Sequence, residues 1–276
     1  EGKVDVAIIG AGFTGLRAAL ELRQQGVNVV VVDAGQPGWG ASGRNGGQVN
    51  PIAHEAPETI RNRWAKLYGD KQAAAYTERF VKTYMGAADE LFGLVKAHNI
   101  QCDAEQNGWI RSVHGPAAEP GFEKMLRGWQ EAGADIEALD AAQVERMSGS
   151  QSYGLGWLAK RGGSVQPLAY ARGLADAAQQ AGAILYPDTC IDKLEQVNGT
   201  WKLSAQTGSV SAEKVLLCTN GYSDQLLPGL AATVVPVISI QAATPVLTDE
   251  QSANILPERQ TFADTRRVIF YFRKTA

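Results

Sequence analysis

Three glycines near the amino terminus have the first spacing with a chemical consequence. Gly10, Gly12 and Gly15 form the pattern G-x-G-x-x-G directly after a short apolar run that reads as a β-strand. Glycines at this spacing allow a tight turn, a close approach of phosphate oxygens to the backbone, and close packing of the helix that follows. Because the first N–H groups of a helix lack intrahelical acceptors, the pattern predicts a pyrophosphate-binding turn.

An acidic residue at the end of the next strand fits the same interpretation. The β-branched run at residues 27–32 leads into Asp33, 23 residues after Gly10 (33 − 10 = 23). A carboxylate there can accept hydrogen bonds from ribose hydroxyls and disfavours a ribose 2′-phosphate. Strand, glycine turn, helix and strand form a βαβ unit, which predicts parallel strands covered on both faces. The pattern predicts a dinucleotide site, disfavours NADP, and leaves NAD and FAD open.

A second glycine-rich stretch, GASGRNGGQVNP at residues 40–51, favours FAD. It contains four glycines and begins within ten residues of Asp33, and it is longer and more polar than an ordinary turn. Paired glycines allow backbone to lie against a flat ring, and the polar side chains can reach phosphate or ring edges. The groups available there are those of Ser42, Arg44, Asn45, Gly46 and Gly47. The alternative interpretation is a disordered surface loop.

Composition and charge limit the other functions. The chain has 276 residues, 45% hydrophobic and 20% charged, with a net charge of −3, enough for one large or two modest domains. Lysines and arginines form no stripe, so no nucleic-acid partner is predicted, and no apolar run reaches the ~18 residues of a membrane span. Cys102, Cys190 and Cys218 are odd in number and far apart, which predicts thiols in a reducing cytoplasm and no metal site.

The elements that must position these residues follow from periodicity and turn signals. Apolar residues recur at spacings of three and four over residues 57–97, which predicts helix with a break at residues 69 and 70. Asn198 and Gly199 predict a β-hairpin. Further helices are predicted at 117–131, 141–147 and 167–182, strands at 108–113, 184–186 and 215–219, and extended stretches at 234–246 and 267–272.

Several sequence blocks together resemble a known family. DVAIIGAGFTG, VVVVDAG and GASGRNGGQVN resemble the N-terminal half of the D-amino-acid oxidase-like (DAO) FAD-dependent oxidoreductases, and GASGRNGGQ is most similar to the gamma-glutamylputrescine oxidoreductases. GSVQPLAYARGLADAAQQAGA, VLLCTNGYS and FADTRRVIFYFR extend the resemblance over essentially the whole chain. Sarcosine, glycine and D-amino-acid members share most of these blocks, so the resemblance leaves the substrate open within the family.

The resemblance implies an α/β fold with two interleaved domains. A Rossmann-like FAD-binding domain is expected at residues 1–75 and 150–222. An α+β substrate domain with a mainly antiparallel sheet is expected at residues 76–149 and 223–276. Family members continue beyond the YFR strand into a glycine-rich strand and helix, so we expect this sequence to be a fragment that lacks the C-terminal part of the family fold.

The resemblance also implies roles for individual residues. Gly10, Gly12 and Gly15 would hold the pyrophosphate of FAD, and Asp33 the adenosine ribose. The backbone of Cys190 would meet the adenine. The residues expected to line phosphate, ribityl and flavin are Ser42, Arg44, Asn45, Gly46, Gly47 and Gln48, and those expected beside the cofactor at a strand end are Thr219, Asn220 and Gly221.

The activity implied is oxidation of a primary amine such as gamma-glutamylputrescine, with hydride transfer to flavin N5 and oxygen or another acceptor completing the cycle. Gln48, Tyr271 and Arg273 are the catalytic candidates. Tyr271 and Arg273 alternate with aromatic residues on the last predicted strand, so they are expected to share one face, where Arg273 would pair with a substrate carboxylate. An amino-acid or N-methyl amino-acid oxidase or dehydrogenase, a flavin-binding module without activity, and an NAD-dependent dehydrogenase are the alternatives.

Overall fold

The computed structural model describes residues 2–223, 226–235 and 237–275. The strands in these ranges are β1 (Gly2–Ile9), β2 (Val29–Val32), β3 (Gln48–Val49), β4 (Trp109–Ser112), β5 (Ile136–Leu139), β6 (Gly156–Ala159), β7 (Gly163–Ser164), β8 (Ile184–Tyr186), β9 (Lys193–Val197), β10 (Thr200–Ala205), β11 (Gly208–Leu217), β12 (Thr261–Asp264) and β13 (Tyr271–Phe272). The helices are α1 (Phe13–Gln24), α2 (Pro57–Tyr68), α3 (Asp70–Ala97), α4 (Glu119–Glu131), α5 (Ala141–Ser148), α6 (Pro167–Gln180) and α7 (Asp249–Asn254).

The first sheet carries the predicted βαβ unit. Its strand order is β8-β2-β1-β11-β10-β9, and β1 runs parallel to both β2 and β11. All four residues of β2 are valines and all are buried, as expected of a strand covered on both faces. Asn198 and Gly199 have φ angles of 51° and 78° and join β9 to β10, which confirms the hairpin. The Rossmann-like part of the fold prediction is therefore confirmed.

The second sheet is mainly antiparallel, as predicted. Its order is β13-β12-β4-β6-β5, and β4–β6, β5–β6 and β12–β13 are antiparallel whereas β12–β4 is parallel. Three fully buried tryptophans on or next to this sheet, Trp109, Trp129 and Trp157, pack in a core that includes side chains of α2, α3 and α4. The helical prediction for residues 57–97 is confirmed, with the break at Gly69, whose φ is +78°.

Contacts divide the chain into two compact units. Unit 1 comprises Glu1–Asn45, His98–Cys102 and Pro167–Gln241, and unit 2 comprises Gly46–Ala97, Asp103–Gln166 and Ala242–Ala276. Strand β6 falls within the segment predicted to belong to the FAD-binding domain, but it is hydrogen-bonded between β4 and β5 in unit 2. These units are defined by contacts within the chain, whereas the predicted domains were defined by the ligand that each would bind. The predicted domain boundaries at residues 75, 149 and 222 therefore stay predictions.

The two extended stretches near the end of the sequence are less regular than predicted. Among the described residues of 234–246 no strand forms, and Val235, Ile238 and Ile240 are each more than 80% exposed; residue 236 lies outside the described residues. The stretch 267–272 contributes just the two residues of β13. Alternating apolar residues become a strand when a neighbouring strand accepts and donates their backbone hydrogen bonds, which the local pattern does not encode.

Candidate functional site

The glycine turn of unit 1 is built so closely that two positions exclude a side chain. Gly10 has a φ of +113°, and a Cβ there would lie 2.5 Å from the carbonyl oxygen of Cys218. A Cβ on Gly15 would overlap the carbonyl oxygen of Gly10. The N–H of Cys218 donates to the carbonyl of Ile9 at 2.7 Å, which holds the end of β11 against the turn. Both glycines are therefore required by the packing of β1, α1 and β11.

The start of helix α1 can accept an anion. Its N-cap residue, Gly12, provides no side-chain cap, so the positive end of the helix is left for a ligand. The N–H of Phe13 donates to Oγ of Ser42 at 3.0 Å, and the Ser42 hydroxyl keeps its own proton to donate to a phosphate. A Cβ on Gly12 would lie 2.8 Å from the same Oγ, so glycine keeps this cradle open. These residues fit the pyrophosphate of FAD.

Asp33 lies where a ribose is expected, and its carboxylate is fixed by the backbone. Oδ2 accepts from the N–H of Ala11 at 2.6 Å, and Oδ1 accepts from the N–H of Gly35 at 2.8 Å. Each oxygen retains a further lone pair that can accept from a ribose hydroxyl. The N–H of Thr189 donates to the carbonyl of Asp33 at 2.8 Å, which brings the exposed Cys190 to the same end of β2.

Three polar residues of the second glycine-rich stretch make different contacts within the protein. Ser42 belongs to the 3₁₀ turn Ala41–Gly43, and the Asn45 amide closes that turn by donating to the carbonyls of Ala41 at 3.1 Å and Ser42 at 2.8 Å. Arg44 stacks over the ring of Trp39, with 4.5 Å from Cζ to the ring centroid, and is exposed. A stacked guanidinium keeps its N–H edge for an anion.

The predicted strand-end residues form a short turn after β11. Asn220, Gly221 and Tyr222 make a 3₁₀ helix in which Asn220 has a φ of 48°. Oγ1 of Thr219 lies 2.6 Å from Oγ of the buried Ser223, which also donates to the carbonyl of Asn220 at 2.8 Å. Hydrogen bonds within residues 219–223 thus fix this turn, which directly follows Cys218.

In unit 2, Gln48 and Gly47 are held by distant parts of the chain. Nε2 of Gln48 donates to the carbonyl of Phe262 at 3.1 Å and more weakly to that of Phe272 at 3.4 Å. The carbonyl of Gly47, where φ is +71°, accepts from the N–H of Val165 at 2.9 Å. Gln48 therefore joins strand β3 to the backbone of β12 and β13.

Arg273 lies just beyond β13 and has a partner within the protein. Its Nε donates to the carbonyl of Gly46 at 2.6 Å. Burial lowers the pKa of its half-buried guanidinium, and the neighbouring Arg259 lowers it further, whereas Asp103 and Glu105 raise it. Arg273 lies outside the two-residue strand, so strand alternation, the basis of the prediction, does not set its direction.

The other strand candidate, Tyr271, is 37% exposed and lies opposite Ala263 in the register.

Sequence reasoning missed several contacts around these groups. The ring of Tyr222 packs beside Gly40 and edge-on to Trp39, at 6.0 Å between centroids, and its position directly after Gly221 was the available signal. Nε of Arg259 donates to both carboxylate oxygens of Glu105, at 2.7 and 2.8 Å. These two residues are 154 positions apart, and no local pattern indicates their pairing.

Two classes of site are not found in the described residues. No group of three or more His, Cys, Asp or Glu side chains there is arranged to hold a metal ion. None of the helices in the described ranges combines the length and apolar composition that a bilayer crossing demands.

Four parallel strands, with an uncapped glycine turn at the carboxyl end of β1 and an acidic residue after β2, define a dinucleotide-binding fold of the Rossmann type. The family model described as FAD dependent oxidoreductase (DAO) matches residues 5–276, and the chain belongs to this family. The family's description names FAD, which agrees with the preference for FAD over NAD drawn from the second glycine-rich stretch.

Curated relatives cover nearly the whole chain. A probable oxidoreductase OrdL of Rhizobium meliloti (strain 1021) is 31% identical over 280 residues, which are 99% of this chain and 62% of the relative. The gamma-glutamylputrescine oxidoreductase of Escherichia coli (strain K12) is 30% identical over 276 residues, again 99% of this chain and 62% of the relative. The chain thus spans about three fifths of the length of these relatives.

Solved structures show the same fold. Glycine oxidase from Geobacillus kaustophilus superposes with a TM-score of 0.64 at 20% identity, covering 82% of this chain and 58% of that one. L-proline dehydrogenase from P. horikoshii has a TM-score of 0.65 at 16% identity, covering 84% of this chain and 56% of that one.

Proposed function

We propose that this protein takes part in the FAD-dependent oxidation of a primary amine such as gamma-glutamylputrescine. The observation that carries the proposal is the uncapped start of α1, framed by glycines and by the Ser42 hydroxyl. The 30% identity to a gamma-glutamylputrescine oxidoreductase supports the substrate class. When bound, FAD would supply the acceptor for the hydride that leaves the carbon next to the amine nitrogen.

The residues of unit 1 would bind the nucleotide end of the cofactor. The N–H groups at the start of α1 and the Ser42 hydroxyl would hold the pyrophosphate, and Asp33 would accept the ribose hydroxyls. We also propose that further residues line the cofactor: Arg44, Asn45, Gly46, Gly47, Gln48, Cys190, Thr219, Asn220 and Gly221.

In unit 2, Arg273 would bind the anionic end of the substrate. Its hydrogen bond to Gly46 uses Nε, and within the described residues its two Nη groups donate no hydrogen bond. A half-buried guanidinium pairs strongly with a carboxylate, because burial weakens the screening by water. Gln48 and Tyr271 would complete the substrate side, with Gln48 positioned by the carbonyls of Phe262 and Phe272.

An anaerobic titration tests the proposal. FAD is added to the purified chain, and absorbance is followed as gamma-glutamylputrescine, putrescine, glycine, sarcosine and D-alanine are added separately. Loss of the flavin band with gamma-glutamylputrescine supports the proposal, and admission of air or of an artificial acceptor then identifies what reoxidises the flavin. Loss with the amino acids alone reassigns the substrate. Bound flavin that no amine bleaches indicates a binding module without activity.

The cytoplasmic location predicted from the cysteines is part of this proposal. Fractionation of cells that produce the protein tests it, and recovery with the periplasmic or membrane fraction would contradict it.

A further inference from the structure

One face of the second sheet brings together four side chains that the proposed function does not use. In the register of the strands, Thr261 lies opposite Trp109, and Arg111 lies opposite Ala263 on one side and Trp157 on the other. Residues two apart on a strand share a face, and directly paired residues share it too. Thr261, Trp109, Arg111 and Trp157 are therefore neighbours on one face.

Each of these four side chains is buried with an unsatisfied polar atom. Trp109, Trp157 and Thr261 are 0% exposed and Arg111 is 7% exposed. The atoms without a hydrogen-bond partner are Trp109 Nε1, Arg111 Nε, Trp157 Nε1 and Thr261 Oγ1. The third buried tryptophan of this core differs, since Nε1 of Trp129 donates to the carbonyl of Glu55 at 3.1 Å. Of the three buried indoles, only the two in this cluster therefore have an unsatisfied N–H group.

The cluster also holds a positive charge, and no carboxylate in the described part of the chain contacts it directly. The Arg111 guanidinium lies over the Trp157 ring, 5.6 Å from its centroid, and its hydrogen-bond contact within the described residues is the weak acceptor Sδ of Met125 at 3.8 Å. Burial lowers the pKa of Arg111 to about 10, and Asp264 opposes this shift. Asp264 follows Ala263 and so lies on the opposite face, where Arg266 and the N–H of Phe270 bind its carboxylate.

The donor set determines the class of ligand. Arginine and indole groups donate and do not accept, and the threonine hydroxyl can donate as well. A water molecule would satisfy some of these donors but would leave the buried charge uncompensated, and such a charge is costly. A monovalent anion satisfies both requirements. The apolar surroundings, Phe122 stacked on Trp157 and Met125 beside Arg111, favour an anion that is weakly hydrated and therefore easily stripped of water.

We propose that Arg111, Trp109 and Trp157, with the Thr261 hydroxyl, bind a monovalent inorganic anion of halide size. The site lies within unit 2 and involves none of the residues proposed to hold FAD or substrate. The anion-site proposal can therefore be tested independently of the proposed function.

Iodide is the probe that tests the site, because it quenches indole fluorescence on contact. The exposed Trp39 (53% exposed) is first replaced by phenylalanine, which removes the tryptophan most open to collisional quenching. In this background we expect a saturable quenching component that chloride displaces. Arg111→Met is expected to abolish that component, whereas Arg127→Met, which removes an exposed arginine of the same unit, is expected to leave it unchanged. Quenching that rises linearly and equally in all three folded proteins would overturn the proposal.

Thr261→Val provides the decisive variant if Arg111→Met does not fold. It keeps both indoles and the guanidinium and removes one donor to the anion. We expect the iodide midpoint to rise about tenfold, as for the loss of one hydrogen bond to a charged partner. An unchanged midpoint and an unchanged saturable amplitude in folded Thr261→Val would show that the anion does not occupy this cluster.

Discussion

The glycine turn of unit 1 and the polar contacts around Gln48 and Arg273 in unit 2 are held in different ways. The turn is shaped by backbone atoms in contact, since Gly10 and Gly15 leave no space for a Cβ. The unit 2 contacts are made by long side chains that reach backbone carbonyls more than 200 residues away in sequence, with separations of 214 and 227 residues. A backbone-shaped site should lose its form with one added methyl group, whereas a side-chain site should lose one contact at a time.

The largest expected effect is that of Gly15→Ala, which tests the backbone-shaped side of this comparison. The new methyl group overlaps the carbonyl of Gly10, and such overpacking is expected to lower the free energy of unfolding by about 3 kcal/mol and to abolish FAD binding. Urea unfolding and flavin fluorescence measure the two effects.

Gly93→Ala is the matched control. Gly93 also lies in a helix, but open space surrounds it, so alanine is expected to raise stability by about 0.5–1 kcal/mol. If both substitutions changed stability equally, the close packing of the glycine turn would be refuted.

Asp33→Asn should have the next largest effect. One of the two N–H donors, on Ala11 or Gly35, would face an amide NH₂ instead of a carboxylate oxygen, which is expected to cost about 2 kcal/mol and to weaken FAD binding. The measurements are urea unfolding and FAD titration, with Asp192→Asn as the exposed control, expected to change stability by less than about 0.5 kcal/mol. Equal FAD affinity in the wild type and Asp33→Asn would remove the ribose role of Asp33.

Arg273→Gln tests the side-chain contacts of unit 2 and should affect stability less. Loss of the hydrogen bond to Gly46 is expected to cost about 1 kcal/mol in unfolding free energy. Loss of the charge should raise KM for a substrate with a carboxylate about tenfold or more, and leave KM for an amine without one nearly unchanged. Steady-state kinetics with the two amines separates these outcomes, and an equal rise in both KM values would refute a substrate-binding role.

The smallest expected effect concerns His54 in unit 2. Burial, and then the nearby Arg111, lower the pKa of His54 below its ordinary value of 6.5. The unfolded chain therefore binds more protons than the folded chain below that pH, so stability should fall as pH drops from about 7.5 to about 5.5. His54 is exposed in the folded chain, which keeps the effect small. His54→Gln should give a flatter dependence of the urea midpoint on pH, and identical slopes would show that His54 does not contribute.

The difference between a locally shaped turn and long-range side-chain contacts also explains which features could be predicted from the sequence. The glycine turn between β1 and α1, the position of Asp33 after β2 and the Asn198–Gly199 hairpin depend on φ angles and strand ends that local residue types determine. These structural features agree with the prediction, and the ligand-binding roles of the residues stay predictions. The contact of Arg273 with Gly46, and the lack of a strand among the described residues of 234–246, depend on which distant segments meet. Local periodicity contains no information about that choice, and so the last predicted strand was reduced to β13.

The cluster around Arg111 also depends on contacts between distant segments and could not be predicted from local sequence. Its residues come from β4, β6 and β12, and their neighbourhood appears once the strand register is known.

The most direct test of the central claim, that this chain binds FAD through its glycine turn, is an equilibrium titration of FAD followed by flavin fluorescence. We predict saturable binding by the wild type and by Gly93→Ala, and its loss in Gly15→Ala. A folded wild-type chain that leaves flavin fluorescence unchanged, or a folded Gly15→Ala chain that binds FAD as the wild type does, would contradict the claim.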